Sequence, residues 1–135
     1  MKILQINSVY NEGSTGKLVQ YIHSGLKQRG IETVVCYGNG AVSHEKNIYR
    51  ISNKFNQKIQ AIISRVTGIM YGGCIYSTFK LINIIKKEKP DVVHLQCIIG
   101  KMKYVATNAL SLLDSGATDK AMNKLFVCIA ASHQF

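Results

Sequence analysis

Three short runs of branched and apolar residues constrain this chain more than any other feature. They are Lys2–Asn7 (KILQIN), Glu32–Tyr37 (ETVVCY) and Asp91–Cys97 (DVVHLQC). Turn formers bound each run, and helical patterns stand between them. Strands with one wetted face alternate polar and apolar residues, whereas strands covered on both faces read as near-continuous apolar runs. Runs of the second kind, alternating with helices, predict an α/β fold: a Rossmann-like parallel sheet with helices on both faces.

After the first run, Ser8–Gly16 (SVYNEGSTG) is rich in turn formers and reads as a loop. A helix follows from Lys17, with Leu18, Val19, Ile22 and Leu26 as an apolar stripe at helical spacing. Gly30 sits where a C-cap glycine belongs. The second strand ends at Gly38-Asn39-Gly40, and Asn47–Ser52 (NIYRIS) is a short third strand. Phe55, Ile59, Ile62, Ile63 and Val66 then make a helical face that stops near Gly68. Beyond a flexible Tyr71-Gly72-Gly73, a third helix spans Ile75–Lys89, with Ile75, Phe79, Ile82 and Ile85 on one side. Pro90 and Asp91 break it.

The residues after Gly100 differ in character. Val105, Ala109, Leu112 and Leu113 fit a short helix, Asp114-Ser115-Gly116 a turn, and Ala121–Ala131 a second helix. The expected organisation is an incomplete Rossmann-like domain over residues 1–100 and a divergent helical tail over 101–135. A chain of 135 residues has room for one core, not two.

Charge narrows the partners. The formal net charge is +10, and residues 1–100 carry thirteen Lys/Arg against five Asp/Glu. Such a surface suits nucleic acid, acidic lipid headgroups or a phosphorylated substrate. Nucleic acid fits least, because the aromatic residues are not interleaved with the charges and no recognised motif appears. Lys54, Lys58, Arg65, Lys86, Lys87 and Lys89 lie on polar sides of predicted helices. They read either as a solvated face or as a peripheral contact with an anionic membrane. The first residues hold too short an apolar stretch for a secretory signal, and no segment approaches the roughly 20 apolar residues of a membrane-spanning helix. The expected location is cytoplasmic, with a peripheral position at the inner face of the membrane as its variant. Cys36, Cys74, Cys97 and Cys128 are widely spread, without C-x-x-C pairs. They read as small buried hydrophobes, not as a zinc site or disulfide framework.

Two places would lie at C-terminal strand ends, where parallel sheets bind ligands. The first is Gly13-Ser14-Thr15-Gly16-Lys17, whose glycines allow close backbone approach and whose helix start offers free N–H groups to a phosphate. It is not a Walker A motif, which needs glycine at Asn11 and Ser or Thr at Leu18. The dinucleotide fingerprint is absent too, and a bare G-S-T-G serves equally as a tight strand-to-helix turn. The second place is the loop after Cys97, with His94 near the end of its strand. A lone strand histidine is more often a hydrogen-bonded core residue than a catalytic group, and the strand-end position raises the functional reading.

Taken in order, MKILQINSVYNEGSTGKLVQYIHSGLKQRG, ETVVCYGNG, NIYRISNKFNQKIQAIISRVTG and above all KPDVVHLQCIIG resemble the start of family-four bacterial glycosyltransferases. These are the retaining GT-B enzymes that build capsule and exopolysaccharide. The resemblance covers residues 1 to about 100 and lies in the combined order of the segments. It implies two Rossmann-like domains facing a cleft, the N-terminal one for the acceptor and the C-terminal one for the nucleotide sugar. By position, Gly13, Ser14, Thr15 and Gly16, with Lys17 behind them, would face the donor diphosphate and the transferred sugar. His94 would match the first His of the family's H-x-H strand end, and Gln96 stands where many members have the second. The resemblance names no catalytic base: the protein positions the substrates and screens charge.

The implied substrates are a nucleotide-sugar donor and a glycan or lipid-linked acceptor, with no cofactor and no metal. After Gly100 the resemblance stops, and no two glutamates stand eight positions apart as the donor domain of such enzymes requires. The expectation is a truncated or frameshifted product, inactive alone, that self-associates through uncovered apolar surface. Two other readings stand beside it. One is a non-catalytic basic module holding an anionic lipid, a glycan or a partner donor domain. The other is a small flavodoxin-like domain that binds a mononucleotide by itself.

Overall fold

The computed structural model describes residues 1–52, 54–68, 75–96, 98, 101–115 and 126–129. The described residues form five strands and four helices in the order β1 (Lys2–Tyr10), α1 (Gly13–Gln28), β2 (Glu32–Gly40), β3 (Ile48–Arg50), α2 (Lys54–Thr67), α3 (Ile75–Glu88), β4 (Val92–Leu95), α4 (Lys101–Ser115) and β5 (Phe126–Ile129). The strands form one sheet in the order β3-β2-β1-β4-β5. Every pairing in it is parallel. The predicted α/β, Rossmann-like sheet is therefore present, and its order shows where winding reverses. The chain moves outward from β1 to β2 and β3, then returns to lay β4 against the other side of β1.

That reversal distributes the helices. Strand-to-strand crossovers are right-handed, so a change of direction along the sheet sends the connecting helix to the opposite face. Val19 of α1 packs on Val35, Tyr37 and Ile48 on one face. Leu81, Ile82, Ile84 and Ile85 of α3, with Met102, Val105, Ala106, Ala109 and Leu113 of α4, pack on Leu4, Ile6, Val34, Cys36, Val93 and Leu95 on the other. Those residues are the alternating partners of the first set, as the two-residue period of a strand demands.

The structure corrects several sequence expectations. The loop read over Ser8–Gly16 shrinks to Asn11-Glu12, because β1 runs to Tyr10 and α1 begins at Gly13 instead of Lys17. Asn11, a residue that tolerates the left-handed region, takes φ 55° and reverses the chain in one step. In α1 the buried residues are Gly16, Val19 and His23, and Leu18 of the expected stripe is exposed. Ile75 and Phe79 likewise lie outside the core, which α3 enters through Leu81, Ile82, Ile84 and Ile85. The second tail helix expected over Ala121–Ala131 is replaced at Phe126–Ile129 by β5, whose short branched run pairs with β4. Residues 101–115 form one helix that includes Asp114 and Ser115. Helix α4 packs in the same core cluster as α3. Tyr71-Gly72-Gly73, Cys74 and Cys97 lie outside the described residues. Cys36 is buried in the core as expected.

Gly30 takes φ 73° just past α1, and its N–H donates to Lys27 O at 3.1 Å, as a helix-ending glycine should. At the N-terminal ends of the strands, the Tyr49 hydroxyl donates to Glu88 Oε1 at 2.7 Å and Lys2 Nζ donates to Glu88 Oε2 at 3.3 Å. The bond to the carboxylate pushes the Tyr49 phenol up to about 12. It holds Glu88 below its ordinary range. This cluster ties the end of α3 to the sheet, away from the crevice between the C-terminal ends of β1 and β4.

Candidate functional site

In open parallel sheets, ligands bind outside the C-terminal strand ends where the winding reverses. Here that point lies between β1 and β4. Gly13, Ser14, Thr15, Gly16 and Lys17 are the first residues of α1 and follow the end of β1 directly. The first turn of a helix has N–H groups without intrahelical partners. Glu12 at the N-cap makes no side-chain bond to them, and the first turn holds no acidic residue. The positive end of α1 is thus left open, which is the electrostatic requirement for an anion.

Gly13, Ser14, Thr15 and Lys17 are exposed, and Gly16 is buried. A Cβ at Gly16 would stand 3.0 Å from Asn11 N and 3.3 Å from Val9 Cγ1. Its role is close approach of the helix to the strand, the part that the last glycine of a dinucleotide fingerprint plays. Ser14, Thr15 and Lys17 are the side chains free to meet a ligand.

His94 does not join this turn. Its Cα pairs with Gln5, five residues before the end of β1. At about 3.3 Å per residue this sets it on the order of 16 Å lower along the strand. It stands instead, half-buried, at the end of a polar ladder on the α1 face of the sheet. His23 Nδ1 of α1 lies 3.3 Å from Thr33 Oγ1 of β2, and Gln5 Nε2 of β1 donates to that oxygen at 3.1 Å. Gln96 Nε2, just past β4, donates to Gln5 Oε1 at 2.6 Å and lies 3.4 Å from His94 Nδ1. The ladder crosses three strands. Gln96 spends its amide on Gln5 and is buried.

Sequence reasoning missed this ladder. The available signal was the two-residue period: Gln5 with Asn7, and His94 with Gln96, place polar atoms on one face of runs that look apolar. Asn7 is wholly buried near the crevice. Its Nδ2 donates to Val9 O at 2.6 Å, and among the described residues its Oδ1 has no partner.

Burial lowers the pKa of His94, and it lowers that of His23 against a smaller opposing pull from Glu45. A histidine whose folded pKa is depressed stays neutral in the native state while the unfolded chain takes up a proton. Stability is then unchanged above the ordinary histidine pKa and falls as pH drops below it. Urea unfolding at pH 7.5 and pH 5 should therefore show a loss on acidification that His94→Gln reduces. An unchanged loss in that variant would remove His94 from the account.

A separate cleft of about 370 Å³ lies between α1 and the β2–β3 connection, lined by Tyr10, Gln20, His23, Lys27 and Glu45 among others. Glu45 is already engaged there, 3.7 Å from His23 Nε2 and 4.0 Å from Lys27 Nζ. Among the described residues, no three His, Cys, Asp or Glu side chains cluster as metal ligands. No described helix is long and apolar enough to cross a membrane. No protein-family model matches the chain, and no curated protein matches it.

Proposed function

We propose that this chain is the acceptor-side, Rossmann-like half of a GT-B glycosyltransferase of cell-surface polysaccharide synthesis. It would work in the cytoplasm on a glycan or lipid-linked acceptor. The observation that carries the reading is the open N-terminus of α1, set at the sheet's reversal beside β4. Such an end cradles a diphosphate through backbone N–H groups and a helix dipole, without a metal. The segment order of residues 1–100 supports the same reading.

In this scheme the isolated chain offers the turn to the acceptor's diphosphate, where the resemblance alone implied the donor's: Ser14 and Thr15 hydroxyls donate to its phosphate oxygens, and the Lys17 ammonium screens their charge. Gly16 keeps the helix end close enough to serve. A second domain, in the same polypeptide or supplied separately, would bring the nucleotide. The polar ladder positions β4 relative to β1 and so fixes the width of the crevice; it does no proton transfer.

The test is calorimetric titration of the chain with mononucleotides, nucleotide sugars and a short polyprenyl-diphosphate sugar. Mononucleotides and nucleotide sugars should bind weakly or not at all, because their main contacts lie in the second domain. The diphosphate-bearing acceptor should bind. Ser14→Asp with Thr15→Asp puts two carboxylates at the helix end and should weaken that binding about tenfold. Submicromolar affinity for a mononucleotide would overturn the reading in favour of a self-contained nucleotide domain.

A further inference from the structure

Helix α2 carries an apolar ridge that the core does not use. Ile59, Ile62, Ile63 and Val66 recur at the spacing of one helix face, yet they are exposed by 41%, 61%, 43% and 80%. The first turns of α3 add Ile75, Tyr76 and Phe79, each more than half exposed. An apolar ridge of this size on a basic helix marks an interaction surface.

Its charge selects the partner. From Lys46 to Lys87 the sequence holds eight Lys/Arg and no Asp or Glu. Lys58 and Arg65 are exposed on α2 itself. At 100° per residue they stand about 100° round the helix from the centre of the ridge, where long side chains reach upward from an apolar surface. A second copy of this chain is a poor occupant, since two acid-free segments would meet face to face on molecules of charge +10. The combination of an apolar ridge, flanking cations and moderate overall hydrophobicity is that of a helix lying in a membrane interface.

We propose that α2 docks on a bilayer of anionic lipid. The ridge of Ile59, Ile62, Ile63 and Val66 enters the headgroup–acyl boundary, and Lys58 and Arg65 rest at headgroup level. The inference is independent of sugar transfer: a chain that transfers nothing would still carry this surface.

Cosedimentation of the purified chain with vesicles tests it, comparing pure phosphatidylcholine with vesicles containing about 30% phosphatidylglycerol. The chain should bind the anionic vesicles and not the neutral ones, less so as salt rises. Ile62→Asp with Ile63→Asp, and separately Lys58→Glu with Arg65→Glu, should each weaken binding about tenfold or more. All four side chains are exposed, and circular dichroism checks that the variants fold. Arg29→Glu with Lys103→Glu removes the same charge elsewhere and should cost much less. Absence of binding to anionic vesicles overturns the proposal. So does equal loss in the Arg29/Lys103 variant, which would mean net charge alone, or a self-associated chain that Ile62→Asp with Ile63→Asp turns to monomer.

Discussion

Gly40→Ala should cost this protein about 3 kcal/mol, a large share of the 5–15 kcal/mol that holds a domain folded. Gly40 closes β2 with φ 124°, a backbone shape that a side chain resists. A Cβ there would stand 2.5 Å from Tyr10 O, a backbone atom of the central strand that cannot swing aside. Strain and overlap therefore add, each costing about 1–3 kcal/mol. The urea midpoint should fall by roughly 2 M. Gly25→Ala is the matched control. It lies inside α1, no neighbour comes within 4 Å of its would-be Cβ, and its φ is not positive. Alanine there should stabilise by about 0.5–1 kcal/mol through helix propensity. Equal effects from the two variants would mean that the overlap at Tyr10 is relieved at little cost.

The second large effect is expected in the polar ladder. Gln5→Leu deprives Gln96 Nε2 and Thr33 Oγ1 of a partner in a buried setting. Thr33 Oγ1 keeps His23 Nδ1, and Gln96 Nε2 keeps only the longer contact to His94 Nδ1. The variant should therefore lose about 2 kcal/mol, within the range of about 1–3 kcal/mol for a buried group left short of a partner. Gln96→Leu should cost a similar amount, since it strands Gln5 Oε1. The double variant replaces both partners by apolar groups of similar size and should cost at least 1 kcal/mol less than the two losses summed. Denaturation of the four proteins gives the coupling directly. Additive losses would show that the two amides do not depend on each other.

The sheet was legible in the sequence because its strands are short branched runs between turn formers. That pattern identifies Lys2, Glu32, Ile48 and Val92 as near their starts without reference to anything distant. Less legible were boundaries set by a single residue's backbone: Asn11 takes a left-handed φ and lets both β1 and α1 extend into the expected loop. Hydrophobic period also overstated burial. Leu18, Ile75 and Phe79 fit helical stripes, but which side of a helix meets the sheet depends on crossover geometry that no local window contains. The same blindness hid β5, four residues long and defined only by its partner β4.

For the site, the helix-start turn could be named from composition alone, since Gly13 to Lys17 carry the residue types that leave backbone N–H groups open. The separation between that turn and His94 could not. It follows from the register that sets His94 opposite Gln5, a relation between residues some ninety positions apart. Gln5 and Asn7 were missed because their polarity was averaged into runs judged by their apolar neighbours.

The central place of β1 also orders events in time. Leu4 pairs with Val34 on one side and with Val93 on the other. On a growing chain, the β1–β2 pair and its covering helix can assemble once some forty residues have emerged. The other edge of β1 must then wait until β4 has been made, leaving its N–H and C=O groups open throughout. Such a long-range parallel closure is intrinsically slow, and an open strand edge is a template for the wrong partner. Until β4 arrives the crevice has only one wall, so the last-formed pairing of the central strand is also the one that completes the crevice.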